Sequence, residues 1–314
     1  MTIWNRRAAL SASLALLAGL TACGGSDDTP NLLTLAKADA RLGILGEAVS
    51  AAGLESALSG SAPRTLLAPT DAAFASLLNE LGVDKATLLA DKALLTAVLS
   101  YHLVDGSVTA AQLPLGRPVE PLGGGYFKAE SADGGVAFTD GRNRISRVVN
   151  ADLKLSNGVA HVVDRVLLPA NRDVAATAVA SSTASPAEFT VLVEALQAAG
   201  LVGALQASGP FTVFAPTDAA FAALLTELGI DKAALLANTT LLTQVLTYHV
   251  VPGLVLKAQV PVGTAISTLE GSPFTVGSDL RITDERGRTA GISATDVLAS
   301  NGVIHVIDRV ILPN

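Results

Sequence analysis

Four histidines are all the imidazoles in this chain: His102, His161, His249 and His305. Two of them follow a tyrosine directly, in the pairs Tyr101-His102 and Tyr248-His249. A neighbouring phenol and imidazole are the residue types that general acid-base chemistry or metal ligation would use. A metal site needs several donors to converge, and no HxxxH, HxH or HExxH spacing is present. His102 also shares a helical face with Leu95 and Leu99, which reads as a buried imidazole hydrogen-bonded inside the fold. His161 and His305 open runs of Val and Ile and read in the same way, as framework groups.

The carboxylates give a similar picture. Asp71 and Asp218 stand in Pro-Thr-Asp triplets ahead of amphipathic segments, where Thr70 or Asp71, and Thr217 or Asp218, serve as helix caps. Asp164-Arg165 and Asp308-Arg309 are neighbours on a predicted strand. Their side chains point to opposite faces, so each is expected in a structural ion pair with a partner elsewhere. No Gly-x-Ser-x-Gly, P-loop or dinucleotide fingerprint occurs. Gly123-Gly124-Gly125 and Gly134-Gly135 are loop glycines, because a phosphate cradle needs a following helix and none is evident. The residues assign no catalytic, cofactor or metal site.

The elements that must position these groups are written twice. Leu66–Pro114 aligns without gaps on Val213–Pro261 with 32 of 49 positions identical, and Ser156–Pro169 aligns on Ser300–Pro313 with 11 of 14. Every histidine singled out above is therefore one of two positions, each present in two copies. A period of this length is a duplicated domain rather than a solenoid repeat. It fits 314 residues, a length that suggests two domains. The copies run over 31–169 and 171–314, and the short connection around Ala170 leaves them to pack against each other.

Within a copy, helices are predicted over Ala36–Ala52 and Glu188–Ala199, ended by Gly53 and Gly200. Further helices run from Asp71 to Leu81 and from Asp218 to Leu228, and others restart at Asp84 and Asp231. Arg64–Ala68 and Phe211–Ala215 read as short strands. After Gly106 and Gly253 the pattern turns to hairpins, closed by a strand after Asn157-Gly158. Helices first and strands later argue for an α+β unit.

Composition narrows the function. Mean hydropathy is +0.48 while aromatics are only 4%, so the cores are aliphatic. The formal charge of −7 argues against a nucleic-acid partner. Cys23 is the only cysteine, which excludes a disulfide framework, a thiolate zinc site and a CxxC redox centre. It ends a leader in which Arg6 and Arg7 precede a short apolar stretch, Ala8–Leu20, too short to span a membrane comfortably. Leu20-Thr21-Ala22-Cys23 resembles the lipobox of bacterial lipoproteins. That resemblance implies a signal peptide over 1–22, acylation of Cys23, a polar tether over 23–30 and a membrane partner through the acyl chains. Loss of Arg6 and Arg7 takes the formal charge from −7 to −9. Gly24 rather than Asp after the cysteine implies the outer membrane, facing the periplasm or the cell surface.

The body also carries a family resemblance. Thr65–Phe74 and Thr212–Phe221 resemble the first signature of the fasciclin (FAS1) domain. Tyr101-His102 and Tyr248-His249 resemble its central motif, and Asn157–Pro169 and Asn301–Pro313 its closing one. The resemblance implies two tandem FAS1 domains, each a β-wedge of about seven strands covered by several helices. It also implies an adhesion or matrix-binding module with no catalysis and no cofactor, whose ligand is an envelope or extracellular polysaccharide or protein. A polymer-acting hydrolase using the Tyr-His pairs is one alternative, and a structural or signalling accessory of the envelope is another. Leu81–Lys85 and Leu228–Lys232 occupy the positions to which animal relatives' adhesion is attributed. No Arg-Gly-Asp is present.

Overall fold

The computed structural model describes residues 29–314. The leader, Cys23 and Gly24 lie outside the described residues, so the lipobox expectation has no structural counterpart here. Each copy folds as a set of helices, interrupted by one strand, and then the remaining strands of a seven-stranded sheet.

In the first domain, α1 (Leu32–Ala38), α2 (Gly43–Ala52) and α3 (Glu55–Ser59) precede β1 (Arg64–Pro69). Then come α4 (Asp71–Leu81), α5 (Lys85–Ala90), α6 (Lys92–Tyr101) and β2 (Leu103–Asp105). A meander follows: β3 (Pro118–Val119), β4 (Phe127–Ala132), β5 (Gly135–Thr139), β6 (Ile145–Leu155) and β7 (Gly158–Val163). The second domain repeats the series with α7 (Val174–Ser182), α8 (Thr190–Ala198), α9 (Val202–Leu205), β8 (Phe211–Pro216), α10 (Asp218–Leu228), α11 (Lys232–Ala237) and α12 (Thr239–Tyr248). It closes with β9 (Val250–Pro252), β10 (Ala265–Ser267), β11 (Pro273–Val276), β12 (Arg281–Thr283), β13 (Thr289–Ala299) and β14 (Gly302–Ile307).

Strand order is β2-β1-β7-β6-β5-β4-β3, and β9-β8-β14-β13-β12-β11-β10 in the second domain. Among the described strands, β1 with β7 and β8 with β14 pair in parallel and the other strand pairs are antiparallel. The parallel strands are central because they are covered on both faces. Leu66, Ala68, Ala160 and Val162 pack into the helical core, while Leu67 and Val163 turn to the second core inside the wedge with Phe127 and Phe138. The second domain divides its core in the same way.

Three predicted elements differ in detail. The helix expected over Ala36–Ala52 is broken between α1 and α2, where the Asp39 carboxylate accepts the Arg41 N–H at 2.9 Å and binds its guanidinium at 2.7 Å. The helix restarted at Asp84 stops at Asp91, whose carboxylate then caps α6 through the Leu94 N–H at 2.9 Å. Asp164-Arg165 and Asp308-Arg309 are not on a strand but in the bends just past β7 and β14. Among the described residues, no helix is long and apolar enough to cross a membrane.

Candidate functional site

The tyrosine-histidine pairs sit where α6 and α12 end. His102 and His249 are the C-cap residues of those helices and are fully enclosed. Nε2 of His102 accepts the Leu167 N–H at 2.9 Å, so the ring proton is on Nδ1, which donates to the Val98 carbonyl at 2.7 Å. His249 repeats this with Ile311 N–H at 3.1 Å and the Val245 carbonyl at 2.7 Å. Each ring therefore ties the last turn of its helix to the segment following the closing strand. Burial pulls the pKa of both imidazoles down to about 4, against the raising effect of the helix carbonyl, so both are neutral near pH 7.

The tyrosines point into the wedge. Tyr101 donates its hydroxyl to the Tyr126 carbonyl, and Tyr248 donates to the Pro273 carbonyl at 2.8 Å. Tyr248 also accepts the Glu285 N–H at 3.3 Å. The rings meet Phe127 and Phe274 edge-on, with centroids 5.8 and 6.0 Å apart. Burial raises both phenol pKa values, that of Tyr248 to about 12. A neutral phenol whose proton is already committed is no base for a substrate.

His161 and His305 lie within β7 and β14 and are likewise enclosed. Nδ1 accepts from the Asp152 or Asp296 N–H at 3.3 Å, and Nε2–H donates to the Val108 or Val255 carbonyl at 2.9 Å. Both donor aspartates have positive φ, 59° and 61°, at the bulges that bend β6 and β13. Each histidine thus holds a bulge against the loop that leads into the meander.

Thr70 and Thr217 cap α4 and α10, each accepting an N–H three residues on at 3.1 Å. Asp71 and Asp218 do something the local pattern did not show. The Asp71 carboxylate crosses to α2 and accepts the Ile44 N–H at 2.7 Å. Asp218 crosses to α8 and accepts from Thr190 at 3.1 Å and Val191 at 2.8 Å. Neither α2 nor α8 has a capping side chain of its own, so these acids cap a neighbouring helix instead of their own.

Asp164 and Asp308 also depart from expectation. Among the described residues their carboxylates form no ion pair; they accept the N–H of Arg147 at 2.7 Å and of Gly291 at 2.6 Å on the adjacent strand. Arg309 pairs with Glu227 at 3.3 Å on the surface.

A buried charged cluster went unnoticed in the sequence. Asp140, 1% exposed, binds Arg144 at 2.8 Å and accepts the Leu168 N–H at 2.9 Å, while Arg144 reaches Glu80 at 2.7 Å. Asp284, Arg288 and Glu227 repeat it. The signal was available, since Thr139-Asp140-x-Arg142-x-Arg144 recurs as Thr283-Asp284-x-Arg286-x-Arg288. Gly123 supports no phosphate cradle: its Cα lies against the end of α6, where a Cβ would come within 2.8 Å of the Tyr101 nitrogen.

The structure therefore brings each tyrosine, histidine and aspartate of the motifs into contact with backbone rather than with one another in a cleft. Both nitrogens of all four imidazoles are occupied. Among the described residues, no group of three or more His, Cys, Asp or Glu side chains is arranged to hold a metal ion.

Known proteins resemble this chain over one or both of its halves. Protein sll1483 of Synechocystis is 48% identical over 127 residues, covering 40% of this chain and 67% of that protein. Transforming growth factor-beta-induced protein ig-h3 of Oryctolagus cuniculus is 28% identical over 297 residues, covering 92% of this chain. The chain spans only 41% of that protein's length. A solved FAS1 domain pair from the insect cell adhesion molecule Fasciclin I aligns with 86% of this chain and 92% of its own at a TM-score of 0.41 and 18% identity. The Fasciclin domain family matches residues 40–169 and again 187–313, and the chain belongs to that family.

Proposed function

We propose that this protein is a lipid-anchored, non-catalytic binding module of the bacterial envelope, attached through Cys23 and acting in adhesion or matrix binding. The observation that carries the reading is the internal use of every candidate chemical group in both copies. The imidazoles are spent on backbone bonds, the phenols are buried donors and the acids cap helices or hold strands. Recognition, not turnover, is the activity such a scaffold supports. Membership of the Fasciclin domain family supports the same reading.

Two linked domains raise the apparent affinity for a repetitive polymer when both engage at once. The test is a binding screen of the purified chain against envelope polysaccharides and envelope proteins, with attachment and biofilm scored in a deletion strain. Saturable binding to one class, with loss of attachment on deletion, is the expected result. No binding to either class and no deletion phenotype would overturn it. Hydrolysis of a polymer by the pure chain, abolished by His102→Gln with His249→Gln in a folded protein, would favour the hydrolase instead.

A further inference from the structure

The two domains are near-copies, yet they meet through faces that are not equivalent. The first domain contributes the β3–β6 end of its meander, and the second contributes the bulge of β13 and the short helical turn Lys257–Gln259 before β10. Lys128 on β4 reaches Asp296 on that bulge at 2.9 Å, with 9% and 5% of the two side chains exposed. Glu130 holds the same ammonium at 2.8 Å from within the first domain. The other Asp296 oxygen accepts the Lys257 N–H at 2.7 Å. Nearby, the Asn143 amide docks on the backbone of Leu298, accepting its N–H at 2.7 Å and donating to its carbonyl at 3.1 Å. Gly116 makes the approach possible: a Cβ there would lie 2.8 Å from the Ala258 Cβ.

Each domain carries a version of both faces, so the unused versions serve as internal controls. In the first domain the residue equivalent to Asp296 is Asp152. It keeps the same backbone bonds, to the Ala110 N–H at 2.7 Å and His161 at 3.3 Å, but 42% of its side chain is exposed. Beside it, the positions of the buried Leu256 and Leu298 are taken by Thr109 and the exposed Lys154. In the second domain the positions of Lys128 and Asn143 are taken by Thr275 and Gly287. The bulge aspartate is thus a constant of the fold. The lysine and the asparagine occur only where the two domains touch, beside two leucines that pack with Val303 of the second domain.

We propose that these residues form a one-way joint, which locks the two domains in a single relative orientation and leaves no matching outer face for another copy of this chain. The lock follows from burial. A lysine and an aspartate removed from water on opposite domains must stay together, since separation without rehydration leaves both uncompensated. Asn143 adds register, because an amide that both donates to and accepts from one residue's backbone fits in one position only. Another copy of this chain does not dock because the free faces do not match. The face left on the second domain offers Thr275 and Gly287, with no cation for an acid and no amide for a strand edge. The face left on the first carries Thr109 and the exposed Lys154 where the occupied face has two buried leucines. The tether also enters there, where the Pro30 carbonyl accepts the Ser156 N–H at 3.0 Å. A second copy of the chain therefore finds no partner surface at either end.

The test uses the full chain with Cys23→Ser, carrying spin labels on Ser76→Cys and Thr226→Cys, which sit exposed on α4 and α10. A single narrow inter-label distance is expected. Lys128→Thr with Asn143→Gly installs the second domain's own residues at sites where this fold already accepts them. That pair should broaden the distribution about twofold, because tandem domains without a fixed interface reorient. Asp152→Asn, the control on the unused face, should leave it unchanged. A broad distribution in the parent chain, or a narrow one after the double substitution, overturns the lock. For the stop, the parent should sediment as a monomer. A chain with Thr275→Lys, Gly287→Asn, Thr109→Leu and Lys154→Leu should associate with rising concentration. A monomer in that variant, or association in the parent, overturns it.

Discussion

At the scale of single residues, the chemistry-bearing side chains have become structural, and their environment makes that measurable. His102 and His249 are neutral in the fold with pKa values near 4, against 6.5 in an unfolded chain. Between those values the unfolded chain binds more protons than the folded one, so stability rises with pH across the window. The contribution is complete above about pH 6.5 and is lost as pH falls towards 4, on the order of 3 kcal/mol for each ring. Denaturant unfolding at pH 7 and pH 5 should show the parent losing stability on acidification. His102→Gln with His249→Gln should lower stability at pH 7 and flatten that dependence. At each site the loss should be about 1–3 kcal/mol for every backbone group left without its partner. An equal slope in parent and variant would mean that other groups set the acid limit.

At the scale of elements, the acids show how helices are joined. Asp71 caps α2 from the first turn of α4, so removing it should loosen one helix while leaving its own intact. Asp71→Ala should cost about 1–2 kcal/mol in chemical denaturation, and Asp71→Asn, which keeps an acceptor oxygen, much less. Protection of α2 amides in hydrogen exchange should fall before that of α4; the reverse order would contradict the cross-capping. The parallel pair β1·β7 makes a second demand. Gly158 stands at a φ of 153° with the Arg64 backbone against its Cα, and a Cβ would run into the Arg64 carbonyl. Gly158→Ala should therefore cost about 3 kcal/mol or more, and Gly302→Ala, packed on Phe211, should behave alike. Much of this level was legible in advance. The cap threonines, the glycine stops after Leu81 and Leu228, and the closing strands all follow from local rules read over a few residues. The breaks at Asp39 and Asp91 were not, because the apolar period continues through them and only a capping bond made by the fold interrupts it.

At the scale of the whole molecule, the duplication determines two cores of each kind, and the proposed acylation of Cys23 would determine where the pair is held. Cys23→Ser should move the protein from the membrane pellet to the soluble fraction of cells, with the folded domains unchanged by circular dichroism. Retention in the pellet would place the attachment elsewhere in the chain. Soluble release would leave the domain pair free for the binding screen, since the first described segment is already pinned at Pro30 and Asn31, which caps α1 through the Thr34 N–H at 2.8 Å.

The sequence by itself determined the duplication, the α+β order of elements, the family and the pairing of candidate residues into two equivalent sets. These depend on identity between copies and on short-range patterns of apolar residues, caps and turns, which are local and therefore written in linear form. Tertiary structure alone decided what the polar side chains do. The Asp71 carboxylate meets a backbone N–H 27 residues away, the Arg144 guanidinium a glutamate 64 away, and Lys128 an aspartate 168 away in the other domain. A long-range partner leaves no periodic trace in the chain, because burial forces each polar group onto whichever backbone or counter-charge the packing brings within reach. For the same reason, the lysine that joins the domains looked like any other charge on a strand until its aspartate was in place.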